Sequence, residues 1–148
     1  MRIRQAACTD AESIARVHVT SWQTTYRGTM PDAVLDAQTV SQRRPQWRRR
    51  LCDGDASLVT LVAESDAGQV VGFAAAGPER DGVTGFDSEL EAIYLLATAQ
   101  RQGAVRRLVA AAARGLLELG MHSMLAWVVA ARPRPPLQRR ARRPRGSA

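Results

Sequence analysis

The sequence predicts an α/β (α+β) fold in which a mixed central sheet is flanked by helices. Three observations predict it. Ile14, Val17, His18, Trp22 and Tyr26 recur at steps of three or four, the period of a helix that hides one face. Two Val-rich and Leu-rich runs, Ser57–Glu64 and Gln69–Gly77, are joined by the turn "SDAG", as in a β-hairpin. The chain then reads strand, amphipathic helix, strand from Ser88 to Ala130, a unit whose two strands should lie parallel with a right-handed crossover.

The elements follow in order. "IRQAA" (Ile3–Ala7) is a short strand, after which Thr9 or Asp10 offers an N-cap and Gly28 a stop for the first helix. In "MPDAVLDAQTVSQRRPQWRRRL", Pro31 suits a first helical position, and Pro45 is expected to divide the segment into a short helix and a basic second one. The hairpin comes next, and then "SELEAIYLL" (Ser88–Leu96), whose strict alternation would point Glu89, Glu91, Ile93 and Leu95 one way. Val105, Leu108, Val109, Ala112, Leu116 and Leu119 mark the last helix, closed by Gly120, and "MHSMLAWVVA" reads as a buried strand.

Composition narrows the function classes. The 148 residues suit one domain with its own core. All 21 basic residues are Arg, and the formal net charge is +7. Seven of those arginines lie in Ala131–Ala148, so the rest of the chain carries 14 basic residues against 14 acidic ones and is neutral. A nucleic-acid-binding protein using the Arg-rich tail as an arm is therefore a weak alternative, since the tail lacks interleaved aromatics and the body no basic stripe. Cys8 and Cys52 are too few and too distant in sequence to suggest a disulfide framework or a metal knuckle, so a reducing cytoplasm is expected. The longest apolar stretch, "MLAWVVAA", is too short to span a bilayer, and no membrane partner is expected. His18 and His122 lack a ligand partner at metal spacing, so no metal is expected and both histidines read as structural.

The chemistry concentrates in "EAIYLLATAQRQGAVRRLVAAA". A strand runs into a loop with Gln100, Arg101, Gln102 and Gly103, then into a helix with Arg106 and Arg107 in its first turn. The free amides at such a helix start, with its dipole, can wrap a phosphate, and Gly103 lets backbone approach closely. This Gln-x-x-Gly-x-(Gly or Ala) pattern between strand and helix resembles the acetyl-CoA-binding signature of the GNAT (GCN5-related) N-acetyltransferase family. "ARVHVTSWQTTYRGTMPDAVLD" is also similar to the first two helices of a bacterial branch of that family, and the element order agrees from Ile3 to Ala130.

The resemblance implies direct transfer of an acetyl group from acetyl-CoA, as cosubstrate, to a primary amine of a small-molecule or peptide acceptor. A non-catalytic acetyl-CoA-binding protein is the alternative, and a homodimer stays open. Backbone of Ile93 and Leu95 would pair with the pantetheine arm. The segment Arg101, Gln102, Gly103, Ala104, Val105 and Arg106 would hold the pyrophosphate. Val105 departs from the family pattern, which has Gly or Ala there, and its β-branched side chain would crowd that site. Glu89 falls where the family often places its general base, with Glu91 two residues on, and an amide beside Leu95 would steady the oxyanion.

The tail "ARPRPPLQRRARRPRGSA" stands where the family has a helix and two closing strands. Its alternating Pro and Arg disfavour both a helix and a central strand, so residues 131–148 are expected to be a disordered tail after an acetyltransferase domain at 1–130. Read one base out of frame from Arg132, the codons permit Asp-Pro-Ala-Arg-Arg-Phe-(Asn/Ser), the family's opening of the missing helix. A frameshift near Ala130 or Ala131 is thus the expectation, leaving the fold without its last helix and strands.

Overall fold

A computed structural model describes residues 1–129 and 139–142. Among the described residues six strands form one mixed sheet in sequence order. Strand β1 (Arg2–Gln5) is followed by helices α1 (Ala11–Tyr26), α2 (Asp32–Asp36) and α3 (Val40–Cys52). Strands β2 (Val59–Glu64), β3 (Val70–Pro78) and β4 (Ser88–Leu95) come next, then helix α4 (Ala104–Glu118), strand β5 (Met124–Val129) and strand β6 (Arg139–Arg142). Among the described strands only β4 and β5 pair in parallel, as the α4 crossover between them requires.

Each sheet face buries one layer. Helix α4 sets Ala104, Leu108, Ala112 and Leu116 against Val59, Leu61, Ala63, Ala74, Ala76 and Leu95. Gly115 lets α4 approach β2 closely, since a Cβ there would come within 2.9 Å of Val59 Cγ1. Val105 and Leu119, expected on the buried stripe, are 51% and 45% exposed, because the covered arc of α4 is narrower than the apolar one. On the other face α1 and α3 pack Ile14, Val17 and Trp47 onto Val62, Phe73 and Ala75.

Two local expectations are corrected. Asp10 stands at the N-cap of α1, but its carboxylate turns back to the Ala7 amide (2.7 Å) and the Arg4 guanidinium (2.8 and 2.9 Å), leaving α1 without a side-chain cap. The break between α2 and α3 falls at Ala37–Thr39, where Thr39 Oγ1 accepts from the Gln42 amide. Pro45 lies within α3, where it removes a single backbone bond near the helix start without ending the helix.

Cys8 and Cys52 form a disulfide, with Cα atoms 4.9 Å apart. Sequence distance concealed the pair, because α3 runs back along α1 and delivers its last residue to the turn that precedes α1. In the tail, the Pro-free stretch Arg139–Arg142 pairs antiparallel with β5, so the outer edge of β5 has a partner. Strand addition needs only backbone groups, and these four residues all have an N–H to give. The other tail expectations, disorder and the frame of Ala131–Gln138, fall outside the described residues. No helix among the described residues is long and apolar enough to cross a membrane.

His18 holds the second core layer together. Its ring lies 5.1 Å from Tyr94 and 5.8 Å from both Trp47 and Phe73, and its Nδ1 accepts from Trp47 Nε1 at 3.2 Å. Burial, with a smaller contribution from Arg43, lowers its pKa from 6.5 to about 4. The unfolded chain therefore binds a proton that the folded chain refuses between these values. Stability from His18 is present above pH 6.5 and is lost as pH falls toward 4. Urea unfolding at pH 7 and pH 5 should show this loss in the wild type and a much smaller one in His18→Gln, which keeps an acceptor for Trp47. Equal losses would assign the acid sensitivity elsewhere.

The disulfide closes 44 residues of sequence separation. Its reduction by a dithiol should cost on the order of 2–4 kcal/mol. The Cys8→Ser/Cys52→Ser protein should match the reduced wild type and ignore reductant. A wild-type melting temperature indifferent to reductant would contradict the bond.

Candidate active site

The site is built around a defect in β4. Ala75 opposes Ala92 and Ala76 opposes Leu90, so Glu91 is an extra residue with no partner on β3. This bulge shifts the alternation. Leu90, Ile93 and Leu95 face α4, whereas Ala92 and Tyr94 face α1 and α3. Glu91 meets Arg50 of α3, so it too lies on the α1–α3 side. The expectation that Glu89, Glu91, Ile93 and Leu95 share one face is thus corrected: the carboxylates and the two apolar residues lie on opposite faces.

The same region parts from its parallel neighbour. β4 and β5 pair at Ser88↔Met124, Glu89↔Leu125 and Leu90↔Ala126, and there the pairing stops while β4 runs on to Leu95. The Leu96 amide donates to Val71 on the β3 side at 2.8 Å. By alternation the backbone N–H groups of Leu95 and Ile93 then face the gap. The Leu95 carbonyl is reached from that side by Gln100 Nε2 at 3.4 Å. Glu89 therefore sits near the closed end of a wedge, and Ile93 and Leu95 lie along its open arm.

At the mouth of the wedge the loop after β4 enters α4 through two left-handed residues, Arg101 (φ 64°) and Gly103 (φ 74°). For Arg101, a non-Gly residue, that conformation is uncommon, and it turns successive amides toward one concavity. Gly103 is the N-cap of α4 and supplies no side-chain cap. The first α4 amide bonded back to the chain is that of Arg107, to Gly103, so the amides of Ala104, Val105 and Arg106 point out of the helix start. Ala104 is buried against the sheet, while Arg101, Gln102, Gly103, Val105 and Arg106 are exposed around these amides. Arg101 and Arg106 have no ion-pair partner among the described residues, whereas Arg107 turns away to the Met1 carbonyl at 3.0 Å. Exposed amides at a helix start beside two arginine side chains form an arrangement that can hold an anion.

At the closed end two carboxylates meet two guanidiniums. Glu89 is 2% exposed, and Arg80, from the loop after β3, donates to it through Nε at 2.5 Å. Arg80 Nη1 also lies 3.0 Å from Glu91 Oε1. Arg50 sits 2.7 Å from Glu91 Oε2 as a close ion pair without a well-directed N–H bond. Arg50 also donates to Thr60 Oγ1 (2.9 Å) and to the carbonyls of Ala76 (2.8 Å) and Val59 (3.3 Å). It thereby ties α3 to β2, to β3 and to the bulge. Sequence reading missed both arginines; Arg50 lies in the run "WRRRL" and Arg80 in a loop, and only the fold shows which basic residue turns inward. The rings of Trp22 and Tyr26 meet at a tilt of 55° with centroids 5.1 Å apart, and both are half-buried on α1.

Comparison with known proteins agrees with this geometry. The model of the acetyltransferase (GNAT) family matches residues 19–143. An uncharacterized N-acetyltransferase of Bacillus subtilis strain 168, YuaI, is 41% identical over 131 residues, which span 88% of this chain and 73% of that protein. The ribosomal-protein-alanine N-acetyltransferase of Brucella melitensis superposes with a TM-score of 0.63 at 28% identity, covering 88% of this chain and 75% of that one. The PaiA N-acetyltransferase of Thermoplasma acidophilum, solved in complex with coenzyme A, superposes with a TM-score of 0.68 over 87% of this chain and 79% of that one, and at 19% identity speaks for the fold. With its parted strands β4 and β5 and the left-handed entry into α4, this chain belongs to the acetyltransferase (GNAT) family.

Proposed function

We propose that the protein transfers the acetyl group of acetyl-CoA directly to a primary amine, with Glu89 as general base. The observation that carries this reading is the wedge: β4 and β5 part after Leu90↔Ala126, with Glu89 at the apex and the left-handed loop at the mouth. Along it, the free amides of Ile93 and Leu95 would pair with the amide-rich pantetheine arm as a further strand would. The amides from Arg101 to Arg106, with the side chains of Arg101 and Arg106, would hold the pyrophosphate. Val105, being half exposed, would border that anion. When bound, the cosubstrate supplies an activated thioester acyl group.

The residues of the closed end do the proton work. An amine reaches the site as an ammonium and must lose a proton before it can attack. Glu89, buried and charge-paired, is placed to receive that proton, directly or through one water. Glu91, held by Arg50 and Arg80, would keep a second negative charge beside the cation. The acceptor would enter from the α1–α3 side, past Trp22 and Tyr26, and so reach the thioester from the face opposite α4.

Glu89→Gln tests the assignment. It keeps the shape and one acceptor oxygen but cannot take the proton. Turnover of acetyl-CoA with a panel of primary amines should fall about 10²–10⁴-fold, with CoA affinity unchanged by calorimetry. Turnover within threefold of the wild type would remove Glu89 from the role. Tight CoA binding with no turnover of any amine by the wild type would instead favour a non-catalytic acetyl-CoA-binding protein.

A further inference from the structure

Arg80 raises a question that the proposed chemistry leaves open. Its side chain is 66% exposed, yet it is the guanidinium that meets Glu89, whose own side chain is 2% exposed. The same group reaches Glu91 at 3.0 Å. An exposed side chain on a loop is thus the lid over a buried carboxylate. The loop beneath it is fixed at both roots: Glu79 accepts from the amides of Asp81 (2.6 Å) and Val83 (2.9 Å), and Asp87 accepts from the amides of His122 and Ser123 (2.9 Å each). The Arg80 side chain can therefore swing to solvent while its backbone stays.

The charges around it fix what can replace it. Glu79, Asp81 and Glu89 place carboxylate oxygens within 4.8 Å of one another, and Glu91 lies beyond them. Against these four carboxylates stand Arg80 and Arg50. Arg50 is largely buried and bound to β2 and β3 through three further hydrogen bonds, so it stays in place. If Arg80 leaves with nothing in return, Glu89 becomes a buried charge without a partner, which is strongly unfavourable. The exchange that keeps Glu89 ionised and paired is for another hydrogen-bonding cation.

We infer that the Arg80 guanidinium occupies the seat of the acceptor's ammonium group, and that the enzyme selects acceptors that arrive positively charged and displace it. This rests on the proposed role of Glu89. An acceptor amine flanked by carboxylates, such as the end of an acidic peptide, would meet four like charges and be turned away. A neutral amine would bring no charge to replace the guanidinium. The exchange is non-covalent and conserves charge: one hydrogen-bonded cation leaves Glu89 and Glu91, and another takes its place.

The test is equilibrium binding of n-butylammonium chloride to the full chain with CoA present. Ionic strength is balanced with tetramethylammonium chloride, which has no N–H to donate. Arg80→Ala, whose seat is vacant, should bind butylammonium at least tenfold more tightly than the wild type. Arg80→Lys, which cannot span both carboxylates, should fall between them, at threefold or more. If the alanine variant does not fold, the lysine variant carries the comparison alone. Equal affinities in variant and wild type, or weaker binding in the variants, overturn the inference. Acetyl transfer to butylamine is measured in parallel. Turnover without a shift in affinity would sink the role of Arg80 alone, whereas a shift with turnover that survives in Glu89→Gln would sink the catalytic role of Glu89 and leave the seat standing.

Discussion

The one extra residue at Glu91 governs the rest of the site. A bulged strand bends and twists more strongly than a regular one, and here the bend coincides with the point at which β4 leaves β5. Two chemically different surfaces result from one strand. Downstream of the bulge, backbone groups of Ile93 and Leu95 face an open gap. At and before it, Glu89 and Glu91 gather on the α1–α3 side. A regular strand would have kept its pairing and set all four of these side chains on one face.

A charge pair meets that defect from α3. Arg50 bonds to β2 and β3 and pairs with the bulged residue, so the end of α3 clamps three strands at the place where the ladder is irregular. The Cys8–Cys52 bond lies two residues beyond Arg50 and fastens the same helix end to the start of α1. Support of the site thus runs from a covalent link, through a largely buried arginine, to a bulged strand. The aromatic layer of His18, Trp47, Phe73 and Tyr94 backs the sheet on the same face.

The order of elements was legible in the sequence because hydrophobic period and turn residues are local signals. The hairpin turn at Gly68, the stop at Gly120 and the parallel unit β4–α4–β5 all follow from them. The helix start at Gly103 was legible for the same reason, since Gly at a left-handed cap announces itself. What sequence could not show was non-local. Period-two alternation has no way to mark an inserted residue, so Glu91 was placed on the wrong face relative to Ile93 and Leu95. Neither the pairing of Cys8 with Cys52 nor the choice of Arg50 and Arg80 among many arginines leaves a mark at short range. Pro45 misled because its cost depends on where a helix begins, and the side-chain cap at Thr39 set that point earlier. The strand at Arg139–Arg142 depended on an open edge on β5, which composition does not report.

The parted strands are the centre of this account, and hydrogen exchange tests them most directly. With CoA added, the amides of Ile93, Leu95 and Gly103 to Arg106 should exchange more slowly. Amides in β1 and β2, on the far side of the sheet, should exchange as before. Slowing confined to β1 and the outer surface of α4, with none at Ile93 and Leu95, would contradict a cofactor held between β4 and β5.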